Sequence, residues 1–91
     1  MGVKKMTLKQ LNRFLTKIVA EGQTADLIFA RHNYTRIKGE IERQLIVYFE
    51  DELVDIFKMK SETVYDFLKN EVKLDSDTLQ TINIMSHTIM I

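Results

Sequence analysis

Four carboxylates crowd one short stretch of this chain: Glu50, Asp51, Glu52 and Asp55. Grouped carboxylates build hard-cation sites and two-metal hydrolytic centres. The spacing argues otherwise here, because neighbours on a strand point to opposite faces and only Glu50 and Glu52, at a turn, can converge. The group reads better as the charged tip of a hairpin, which keeps an apolar strand pair from pairing edge to edge, or as an acidic patch for a basic protein. His32 and His87 are the only histidines. A metal needs three or four ligands, and nucleophilic catalysis needs an oriented base and an oxyanion hole that no glycine-rich turn here supplies. Gly2, Gly22 and Gly39 fit no phosphate-cradling loop. The chain has no cysteine, which removes disulfides, thiolate catalysis and thiolate zinc sites. The expectation is a protein that is not an enzyme and takes no metal or cofactor.

Basic residues are the second chemical signal. Residues 1 to 38 carry Lys4, Lys5, Lys9, Arg13, Lys17, Arg31, Arg36 and Lys38 against Glu21 and Asp26, while the rest of the chain has five basic residues against eleven acidic ones. The net charge of zero hides a dipolar sequence. Lys9, Arg13 and Lys17, four apart, share one face of a helix. With Lys4 and Lys5 before them, and Arg31 and Arg36 flanking Tyr34, they could contact nucleic-acid phosphates. The plainer reading is a solvated helix face neutralised by the acidic half in the fold.

Periodicity supplies the elements that must position these groups. Thr7 and Gln10 form a capping box, Met6 and Leu11 stand at staple positions, and Gly22 sits where a left-handed cap belongs, which predicts a helix over about residues 8 to 21. Its apolar stripe is Leu8, Leu11, Leu15, Ile18 and Val19. From Glu40 to Lys60 two apolar runs rich in Ile, Val, Tyr and Phe flank the acidic triplet, a pattern of strands. A strand from Leu27 to Asn33 or beyond, and a turn at Lys38 and Gly39, complete an antiparallel meander. Ser61 begins a second helix at about residues 62 to 73, and Thr78 to Ile91 is read as a further strand. The fold class is α+β: N-terminal helix, three-stranded antiparallel meander, second helix, C-terminal strand. The alternative is an all-α helical bundle.

A four-residue loop from Glu50 to Leu53 sets Phe49 opposite Val54 and Val47 opposite Ile56. That register puts Leu45, Val47, Phe49, Val54 and Ile56 on one sheet face and Ile46, Tyr48, Phe57 and Met59 on the other. Both faces are apolar and both need cover.

Ninety-one residues have room for one domain, spanning 1–91, and a chain so short gains stability by association. No apolar run reaches the roughly 20 residues of a spanning helix, and the first helix is too often interrupted by charge for an export signal. The function expected is a small cytoplasmic regulatory or adaptor protein acting by protein binding as a homodimer, with Ile46, Tyr48, Phe57 and Met59 as interface. The alternative is nucleic-acid binding through the basic helix face.

Overall fold

The computed structural model describes residues 5–82, 84 and 86–90, the last five by backbone alone. Helix α1 (Leu8–Ala20) starts where the capping box places it. Thr7 Oγ1 accepts from the Gln10 amide at 3.1 Å, and Gln10 Oε1 accepts from the Thr7 amide at 2.8 Å, which satisfies two donors that a helix start leaves over. Gly22, at φ +68, ends it in the left-handed conformation that suits glycine. A short turn of 3₁₀ helix (Thr24–Asp26) leads into β1 (Leu27–Thr35), and a tight turn at Ile37–Gly39 leads into β2 (Ile41–Phe49) and then β3 (Glu52–Met59). Neighbouring strands of this meander pair antiparallel.

The next helix, α2 (Val64–Asp66), continues as a π-helical segment, Phe67–Glu71. Its cap is Thr63, which accepts from the Asp66 amide at 3.0 Å, not Ser61. The Ser61 hydroxyl instead donates to Glu71 Oε2 at 2.5 Å. The tail then departs from the strand expected from Thr78 onward. Asp75 accepts from the Thr78 amide at 2.7 Å and caps a short helix, α3 (Ser76–Thr81). An Asp at the cap and Asp77 in the first turn favour helix locally, and the turn buries Leu79. Among the described residues of the tail the strand is Ser86–Met90 (β4), which joins β1 in parallel. The sheet order is β3-β2-β1-β4. The fold is α+β and not a helical bundle.

The helices pack on one side of the sheet. Leu11, Leu15 and Ile18 of α1, Val64, Phe67, Leu68 and Val72 around α2, and Leu79 and Ile82 around α3 form one core with Leu27, Phe29, Leu45, Val47, Phe57 and Met59 of the sheet. Phe14 meets Phe49 edge-on, with ring centroids 5.7 Å apart. The smallest Cα extent, 22 Å, accommodates one sheet and one layer of helices.

The hairpin register corrects the expected faces. The connection is a two-residue turn, with Glu50 at φ 53 and Asp51 at φ 65, the positive values that match a tight turn to strand twist. Phe49 pairs with Glu52 and Tyr48 with Leu53, but Val47 pairs with Asp55, so Val54 is an extra residue in the ladder. Such a bulge shifts pairing by one and exchanges the faces of everything beyond it. Phe57 and Met59, expected with Ile46 and Tyr48, therefore face the helices and are buried, while Ile56 turns outward.

Candidate functional site

Among the described residues no helix lies over the second sheet face. Pairing sets its rows: Ile28, Tyr48 and Leu53 nearest the hairpin tip, then Ala30, Ile46 and Ile56, then His32, Gln44 and Lys58, and last Tyr34 and Glu42. Within β1 to β3 the two rows at the tip end are apolar apart from the Tyr48 hydroxyl, and β4 adds His87 at the register position beside Ala30. Leu53 is 50% exposed and Ile56 38%, while Ile28, Ile46 and Tyr48 are half-buried. Large aliphatic and aromatic side chains in contiguous rows are the composition of a contact surface.

The far end of the face is organised around one carboxylate. Glu42, its side chain 10% exposed, accepts at Oε2 from the Tyr34 hydroxyl and from Gln44 Nε2 at 2.9 Å. Its Oε1 accepts from Arg36 Nη1 at 3.0 Å and lies 3.8 Å from Lys58 Nζ. The Tyr34 hydrogen bond first, then the Lys58 and Arg36 charges, hold the Glu42 carboxyl below the usual carboxylate range, although partial burial works the other way. The same bond, followed by burial, raises the Tyr34 phenol. His32 stacks obliquely on Tyr34 at 5.1 Å, and its Nε2 has no hydrogen-bond partner among the described residues. With hydrogen bonds from three donors and the Lys58 ammonium as a further ion-pair partner, Glu42 is a hub that fixes side chains and is poorly placed to act as a base.

Of the expected interface set, Ile46 and Tyr48 stand on this open face, and Phe57 and Met59 lie in the core. Ile28, Leu53 and Ile56 complete the face and were not expected there. Ile28 was legible from the alternation with Leu27 and Phe29; Leu53 and Ile56 were hidden by the bulge. Glu50, Asp51 and Glu52 form the exposed tip, while Asp55 is drawn to the helix side, where its Oδ2 accepts from the Met6 amide at 2.6 Å. Among the described residues no three His, Cys, Asp or Glu side chains converge as a metal would need. His32 pairs with Ile89, and His87 pairs with Ala30, so the two histidines are not register partners.

The expected basic set is divided. Lys9, Arg13 and Lys17 line the exposed side of α1, and Lys17 stands 3.9 Å from Glu21. Lys5 borders a separate hollow of about 430 Å³ at the start of α1, with Leu8 and Phe57. Arg36 is tied to Glu42 at the far end of the open face. Arg31 is half-buried on the helix side, its Nε donating to Asn33 Oδ1 at 3.2 Å. Lys4 lies outside the described residues. Sequence reading missed Lys73, which borders a groove of about 480 Å³ with Lys9 and Arg13.

No family model matches this chain, no curated protein matches it, and no solved structure matches it.

Proposed function

We propose that this chain is a small, non-enzymatic regulatory or adaptor protein of the cytoplasm that works by binding protein, and that a second copy of itself occupies the open sheet face. The observation that supports the reading most is that face: two rows that are apolar across β1 to β3, with the helices of the described residues packed on the opposite side. Its charges supply the argument for a second copy. A two-fold axis across the strands, midway between the Tyr48 and Ile46 rows, lays apolar rows on apolar rows. It also lays the acidic tip of one copy, Glu50 to Glu52, over the row holding Lys58 in the other. A two-fold axis along the strands would instead set acidic tip on acidic tip. Like charges disfavour that arrangement, and opposite charges fix the first.

Strands of about nine residues at about 3.3 Å rise, spaced about 4.8 Å, give a face of roughly 500 Å² per copy. The total of about 1,000 Å² is near the lower limit for a specific interface, so a dimer in the micromolar range is expected. Static light scattering from low to high micromolar concentration tests this. The wild-type mass should climb toward twice the 10.7 kDa of one chain, more steeply at low salt than at high, and Tyr48→Glu should stay monomeric. A wild-type protein that remains monomeric at high micromolar concentration and low salt rejects the proposal.

A further inference from the structure

The groove beside α1 is unused by the dimer. Packing through Leu11, Leu15 and Ile18 fixes which side of α1 faces outward. That side carries Lys9, Arg13 and Lys17, spaced about 6 Å apart at 1.5 Å rise per residue. Across the groove the chain leaves its π-helical segment, and Asn12 Nδ2 clamps it there by donating to the carbonyls of Val72 at 3.0 Å and Lys73 at 3.1 Å. Lys73, at φ 61, is thereby held on the rim opposite Lys9 and Arg13, with Leu8 and Val72 among the lining residues. Among the described residues Lys9, Arg13 and Lys73 form no ion pair. The one acid of the groove, Glu71, is already engaged: its Oε2 accepts from the Lys60 and Ser61 amides at 3.3 and 3.0 Å and from the Ser61 hydroxyl at 2.5 Å.

Three cations on the two rims outnumber the single carboxylate, whose Oε2 is held by the Lys60 and Ser61 donors, and suit a ligand that carries regularly spaced negative charge. We infer that this groove binds the phosphate backbone of a nucleic acid, with Lys9, Arg13 and Lys73 as the contacting cations. The contacts are to phosphate and carry no base information, so binding is independent of sequence. Each neutralised phosphate releases condensed counterions, and three contacts give a slope of log affinity against log salt of about −3 on duplex and about −2 on a single strand. The groove is on the helix layer and the proposed dimer surface on the other side of the sheet, so the inference stands independently of self-association.

Fluorescence anisotropy with a labelled duplex and a labelled single strand, titrated across salt, tests it. Raising salt from about 50 to about 200 mM should weaken duplex binding roughly fortyfold. The combined variant Lys9→Gln, Arg13→Gln, Lys73→Gln should lose at least tenfold in affinity and most of the salt slope, with an unchanged melting temperature because all three side chains are exposed. Lys9→Arg with Lys73→Arg should retain binding, and so should monomeric Tyr48→Glu. Absence of binding to either nucleic acid at low salt, binding of heparin but of neither nucleic acid, or unchanged affinity in the folded triple Gln variant would overturn the inference.

Discussion

Glu42 is the residue on which the polar end of the open face depends. Its hydrogen bond from Tyr34 needs the phenol protonated and is strongest with the carboxyl ionised. The folded-state carboxyl titrates lower than it would in the unfolded chain, so its contribution to stability is present above the unfolded value of about 4.3 and is lost as pH falls through the folded value. The phenol is raised, so its contribution is present below about 10 and is lost as pH rises through the folded value. Urea unfolding of wild type and Glu42→Gln across pH checks the acid limb. The variant should be less stable at neutral pH, and the gap should close as the medium becomes more acidic than pH 4. A gap that persists unchanged into strong acid would show that the Glu42 charge contributes nothing.

The hairpin β2–β3 is the element where sequence and structure part. Local signals were enough for α1, because Thr7, Gln10 and Gly22 act within a turn of their own positions, and for the strands, because Ile, Val, Tyr and Phe cluster in short runs. The faces of β3 were not settled by local signals. Uninterrupted pairing from the tight turn would have put Ile56 and Lys58 against the helices and Phe57 and Met59 outside. One extra residue at Val54 buries the larger apolar pair and returns the Lys58 ammonium to solvent. The lysine between two large apolar residues was the clue, and it is a tertiary one. Lys73 in the groove was beyond local reading for a related reason, since the Asn12 clamp spans sixty residues. The register makes a sharp prediction for denaturant unfolding. Phe57→Ala should cost about 3 to 5 kcal/mol by opening a core cavity, whereas Tyr48→Ala should cost about 1 kcal/mol; equal losses would argue against the bulge. The turn gives a second one. Asp51 holds φ 65 without being glycine, so Asp51→Gly should raise stability by about 1 kcal/mol, read as an upward shift of a few degrees in melting temperature. A fall would mean that the Asp51 side chain supports the turn.

At the scale of the whole molecule, the basic and acidic halves of the chain meet in part, because Arg36 pairs with Glu42 and Glu71 lines the same groove as Lys9 and Arg13. The acidic tip of the hairpin lies at one end of the open face, Lys58 lies two rows beyond the apolar centre, and the basic row of α1 looks out from the helix layer. A sheet with helices on one side only leaves its other face in water unless something covers it. The cover proposed above is a second copy, since so short a chain buries little of its own surface. No helix among the described residues is long and apolar enough to cross a membrane. The orientation claimed for the pair is open to direct measurement, because the chain has no cysteine and every introduced thiol is unique. Asp51→Cys and Lys58→Cys proteins, mixed and treated with a short thiol-to-thiol cross-linker, should give a mixed dimer that joins tip to lysine row. Each variant alone should cross-link poorly, since like positions stand about 20 Å apart at six residues of strand rise. Efficient self-linking of Asp51→Cys, or no cross-linked dimer at any concentration, would contradict the antiparallel pairing of open sheet faces.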